Sequence, residues 1–313
     1  MKYLLPMVAG LMACAIQVNA QAPAAPANPP HAQKISAAVD PVMTPHISGK
    51  DVKPVTFAEW ELKNDRGTTV PILWGDALSK APANASRYEQ KTFEFPTGQI
   101  RVMEFKKDRG GVLHMITAEN AMYVLKGSVT IDVGGKPVEI KEGDAVGYPS
   151  GIMRGKGDAT VVVWTVTGTV LNEAAKTTVV RKKDAKIGKS AEWEEGGKRV
   201  RANTPEGLKK MPKDAIRLQV DRFEIPGNSI RLAHNYKGGP TSGGRGPIDA
   251  LILVTSGHLT YFEDGKPYDA WPGDAIRESA GHENKWNRIE DSSFLAISTQ
   301  PIGGPVKVAG RGE

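Results

Sequence analysis

Gly135-Lys136-Pro137 and then Gly143-Asp144-Ala145, in the first half of the chain, are answered by Gly265-Lys266-Pro267 and Gly273-Asp274-Ala275 in the second. The spacing is 130 residues, and it also joins Phe93, Glu94, Pro96, Ile100, Arg101, Gly127 and Gly151 to Phe223, Glu224, Pro226, Ile230, Arg231, Gly257 and Gly281. A register kept over so many positions is an internal duplication. Upstream, Phe57-Ala58-Glu59-Trp60-Glu61 is answered by Ser190-Ala191-Glu192-Trp193-Glu194 at a spacing of 133, so each copy includes the segment before these turns.

Between the turns lie short runs of β-formers, among them Thr92–Phe95, Ile100–Phe105, Met122–Leu125, Val129–Val133 and Val161–Val166. Turn residues interrupt them at Pro96-Thr97-Gly98, Lys126-Gly127, Gly134-Gly135 and Pro149-Ser150-Gly151. Strands of this length and spacing predict an all-β antiparallel sandwich or barrel rather than alternating β and α units. Helical periodicity is confined to a turn or two over Pro205–Met211. The domain reading is a module over residues 51–171, a Lys- and Thr-rich linker over 172–189, and a second module over 190–313.

The N-terminus has a different composition. Lys2, an apolar run from Tyr3 to Ile16 that is too short for a bilayer, and Val18-Asn19-Ala20 form the charged, hydrophobic and cleavage regions of a secretory signal peptide over residues 1–20. Export to the periplasm is expected; Leu11-Met12-Ala13 before Cys14 leaves a lipoprotein as the alternative. Cleavage after Ala20 removes the single cysteine, which excludes thiol catalysis. Residues 21–50, rich in Ala and Pro, read as a disordered tether. The chain has 41 basic and 35 acidic residues, scattered except for Arg181-Lys182-Lys183, so neither a nucleic-acid partner nor a membrane span is expected.

The turn framework resembles that of the cupin superfamily, and its repetition resembles a tandem bicupin. The resemblance rests on Gly143-Asp144 with Pro149-Ser150-Gly151, and on Gly273-Asp274 with Ser279-Ala280-Gly281. It implies two cupin-type barrels, also described as jelly rolls or double-stranded β-helices, and barrels that pair, with a homodimer as one possibility. The ligand positions depart from the family pattern. Five residues on from Gly98, Glu104-Phe105-Lys106 stands where the family has His-x-His, and copy two has His234-Asn235-Tyr236 there. The family's carboxylate position holds Asn120 and Ala250, preceded by Glu119 and Asp249, and its last histidine position holds Arg154 and Asn284. His114, in the loop between, reads as exposed.

With Lys106 and Arg154 in two slots, the first module is expected to hold a salt-bridge cluster, or an anion pocket in which Arg154 holds a carboxylate, with Glu104 as a further substrate-binding candidate. The second is chemically richer. His234, His282 and Asp249 could hold one divalent transition metal, Fe, Mn, Ni or Zn, although a polar cavity without metal is the alternative. Tyr236 and the histidines would move protons, while Asn284 and Trp286 would contact substrate. Arg101 and Arg231 lie on the opposite strand face and read as structural. The functional expectation is a periplasmic enzyme of lyase, isomerase or dioxygenase type acting on a phenol, sugar acid or hydroxy acid. The alternative is a non-catalytic periplasmic protein that binds a small molecule.

Overall fold

The computed structural model describes residues 44–298 apart from residues 66, 117–118, 167–175, 227, 242 and 247. The expected signal peptide, and the tether as far as residue 43, lie outside the described residues. The α-helix among them is the single turn Pro205–Leu208, started by Pro205 and by Thr204, whose side chain accepts from the Gly207 amide. No helix among them is long and apolar enough to cross a membrane.

The rest is antiparallel β-structure in two modules. In the first, Ala145–Gly147, Ala121–Val133, Ala159–Val166, Gly98–Phe105, Ser86–Phe95 and Val55–Glu59 are neighbours in that order. The long strand Ala121–Val133 continues past Gly127 into a second layer, where it pairs with Lys136–Lys141 and Gly151–Gly155. The second module repeats the order with Ala275–Glu278, Ala250–Ser256, Ser292–Ser298, Asn228–Asn235, Ile216–Ile225 and Lys186–Glu195. Its second layer is Leu259–Glu263 between Lys266–Ala270 and Glu283–Arg288. Gly127 and Gly257 sit at the bend with φ of 79° and 71°. A Cβ there would come within 2.1 Å of the Asp158 carbonyl oxygen and 2.2 Å of that of Asp291, which explains why both copies keep glycine.

The central strands of the first module bury residues on both faces. In the first module one face, with Met103, Phe105, Met122, Val124 and Val161, fills the barrel. The other, with Phe93, Ile100, Tyr123, Val162 and Trp164, packs on Phe223, Ile230, Leu251, Leu253, Leu295 and Ile297 of the second module. The two modules are thus in contact through one apolar layer.

The expected tether ends before residue 50, because His46–Ile47 form a strand against Ala275–Ile276 of the second module. Asp274 explains this correction. One carboxylate oxygen accepts from the Trp271 amide in its own turn and lies 3.2 Å from His46 Nε2, while the other accepts from the Gly49 amide at 2.7 Å. The first module has the same device. Thr178–Val180, in the expected linker, pair with Ala145–Gly147, and Asp144 accepts from the amides of Lys141 and Lys182 and from Arg181. The Gly-Asp turn thus fastens the strap that precedes a barrel in sequence.

Candidate functional site

Side-chain direction along Asn228–Asn235 alternates, and its parity reverses one sequence expectation. Ile230 and Leu232 pack between the modules, so His234 shares that outer face. The inward residues are Arg231, Ala233 and Asn235. In the first module Glu104 and Lys106 are likewise outward and exposed, whereas Arg101 is buried in an ion pair with Glu119. The expected slots were thus one residue out of phase. Arg154 also corrects to the outside: it is exposed and paired with Glu61 at 2.5 Å, while Met153 points in. Its register partner is Thr130, and the equivalent Thr260 pairs with Asn287, so Asn284 is not its counterpart.

His234, His282 and Asp249 do not converge. His234 lies at the Asn235 end of its strand, which pairs with Ser292. Asp249 precedes Ala250, which pairs with Ser298 at the far end of the same neighbouring strand. Six residues of extended chain separate the ends by roughly 20 Å. Asp249 accepts from the Ala280 amide, and exposed His282 is 2.6 Å from Asp264 and 3.9 Å from Glu263. No group of three His, Cys, Asp or Glu among the described residues could hold a metal ion. The expected ligand set therefore does not fit a metal.

Trp286 and Asn284 do point into the second barrel. Trp286 stacks on Phe294 and contacts Tyr261, with ring centroids 5.1 and 4.8 Å apart, and its Nε1 donates to Glu278 at 3.3 Å. Burial pushes the Glu278 carboxyl up and the Arg231 guanidinium down. The aromatic rings fill this interior.

The open space is at the other end. A cleft of about 330 Å³ is lined by His234, Tyr236, Asn235, Gln219, Ser292 and Ser293, together with Ser256 and Asp291. His234 Nδ1 is 3.1 Å from Ser293 Oγ, and Nε2 is 3.5 Å from the Asp221 carboxylate. The imidazole, about one-third exposed, is thus hydrogen-bonded through Nδ1 and faces the Asp221 carboxylate with Nε2. Tyr236 continues the chain past the strand, its ring covered by Arg217 at 5.1 Å. Of the expected site residues, His234 and Tyr236 meet here, and Asp221, Gln219, Asn235, Ser292 and Ser293 were missed. A signal for two of them was present. The cross-strand pair Phe105 and Ala159 of the first module is replaced by Asn235 and Ser292 in the second, at spacings of 130 and 133.

The first barrel is closed around polar groups. His114, expected in an exposed loop, lies on the strand Val112–Ile116 at 1% exposure, because its strand alternates inward at Val112, His114 and Ile116. Glu59 accepts from Tyr88 at 2.6 Å and from the Met115 amide, and stands 2.8 Å from His114 Nδ1. Burial, then the Glu59 charge, raises the Tyr88 phenol well above its usual range.

Residues 89–172 match the EutQ-like cupin domain. No curated protein matches the sequence. Among solved structures, HEPD of Streptomyces albus, with 2-hydroxyethylphosphonate and Fe(II) bound, is 9% identical with a TM-score of 0.50, over 79% of this chain and 74% of that one. AerE of Microcystis aeruginosa is 8% identical with a TM-score of 0.48, over 79% and 99%. Oxalate decarboxylase of Bacillus subtilis, a Mn(II) protein, is 13% identical with a TM-score of 0.48, over 83% and 78%. The fold is that of the cupins. Likeness at such identity extends to the fold and carries nothing about the chemistry of this chain.

Proposed function

We propose that this bicupin is an exported enzyme of lyase or isomerase type that moves protons on a small polar organic molecule in the cleft at the Asn235 end of its second barrel. The observation that carries the reading is His234, held between Ser293 and Asp221 on the wall of an open cleft. With the proton on Nε2, facing the Asp221 carboxylate, Nδ1 is the basic nitrogen and rests on the Ser293 hydroxyl. A substrate group that displaces Ser293 meets that lone pair, and the nearby carboxylate stabilises the imidazolium that forms. Tyr236 stands at the same cleft as a second group able to donate a proton.

The test is hydrogen exchange. A panel of small hydroxy-carbonyl compounds is incubated with the protein in D2O and followed by NMR. Deuterium should enter a C–H position of one compound with wild-type protein, and His234→Gln should abolish this while leaving binding within about threefold. If a compound binds and no exchange occurs, the protein is a non-catalytic binding cupin. Export rests on the charged, apolar and small-residue pattern of residues 1–20. N-terminal sequencing of protein from the periplasmic fraction should begin at Gln21.

A further inference from the structure

We infer that the cleft is built for a neutral polyhydroxylated molecule, a polyol or uncharged sugar, rather than an acid; this rests on the reading of the cleft as the substrate site. The inference starts from the substitution between the two modules. In the first barrel Phe105 and Ala159 face each other across the sheet, 1% and 2% exposed. In the second, Asn235 and Ser292 occupy that pair at 4% and 3% exposure. Asn235 Nδ2 and Ser292 Oγ are buried with no hydrogen-bond partner. A polar pair left unsatisfied in place of a packed apolar one is a standing loss of stability. Both residues line the cleft with these two atoms just beneath its surface, so a ligand meets them once the side chains turn toward it.

The chemistry of these groups selects the ligand. Arg288 Nε donates to Asn235 Oδ1 at 3.0 Å, which orients the amide and leaves its NH2 as the free end. That end requires an acceptor, whereas Ser292 Oγ can serve as donor or acceptor. Ser256 and Ser293 add hydroxyls and Gln219 an amide. A molecule with neighbouring hydroxyls, each both donor and acceptor, answers this set. An acid does not: no Lys or Arg lines the cleft, Asp291 does, and Asp221 stands behind His234.

The test uses glucose, mannitol and myo-inositol against gluconate and glucuronate, measured by calorimetry and saturation-transfer NMR on the purified full chain. At least one neutral compound should bind about tenfold or more tightly than either acid. Asn235→Phe with Ser292→Ala, which restores the pair of the first module, should lower that affinity about tenfold or more. Ser292→Ala alone, a smaller change, should lower it in the same direction and guards against misfolding of the double variant. Preference for an acid, absence of binding by every neutral compound, or unchanged affinity in Ser292→Ala and in a folded double variant would each overturn the inference. Binding of a neutral compound without deuterium exchange upholds it and removes the proton-transfer reading instead.

Discussion

Single residues carry the divergence of the two modules. Arg101 and Arg231 share a sequence position but not a partner: Arg101 pairs with buried Glu119, whereas Arg231 donates to Ser298 Oγ at 3.0 Å. Removing one member of a buried pair strands the other charge. Glu119→Ala should therefore destabilise the protein by about 3–5 kcal/mol in urea denaturation, with an unchanged slope. Arg154 makes the contrast, since its side chain is 47% exposed beside Glu61. Arg154→Ala should change stability by less than about 1 kcal/mol in the same measurement. His234 lies between these cases, since it is partly exposed and held on both sides, as a residue that works on a ligand needs to be.

At the scale of the element, the Gly-Asp turns and the straps they hold set the acid limit of stability. Burial alone would raise Asp144 and Asp274. Backbone amides outweigh it, with Arg181 beside Asp144 and His46 beside Asp274, and both carboxyls are held below the usual range. A depressed carboxyl contributes stability above its unfolded pKa of about 3.9 and loses it as pH falls through the lower folded value. Asp144→Asn and Asp274→Asn should each lower stability at pH 7 and flatten its fall below about pH 4, read from urea midpoints across pH. Gly257→Ala belongs here too. Its methyl would strike the Asp291 carbonyl in a left-handed backbone, so a loss of about 1 kcal/mol or more is expected, with disturbance of the cleft that Asp291 lines.

Over the whole molecule, the apolar layer between the modules joins them into one body. Phe223, 1% exposed, packs edge-on against Tyr123 of the other module at 5.6 Å. Phe223→Ala should destabilise by about 3–5 kcal/mol, and both variant and parent should unfold in a single calorimetric transition. Two separate transitions would show that the barrels fold independently. The reciprocal straps, His46–Ile47 on the second module and Thr178–Val180 on the first, add to this coupling.

The all-β architecture, the duplication and the turns were legible in the sequence, because glycines at positive φ and Gly-Asp turns are local demands that a residue type meets or fails to meet. The Asn235 and Ser292 substitution was legible too, once the copies were aligned by register. Which face of each strand points inward was not. Alternation reveals a barrel interior only when the other face meets water. Here Ile100 and Val102 lie against the sister module while Met103 and Phe105 fill the barrel, so both faces are apolar and the phase is ambiguous. The tertiary structure alone decided that phase. With it came the placing of His234 and Asp249 at opposite ends of a barrel, and of His234, Ser293 and Asp221, from three strands, around one cleft.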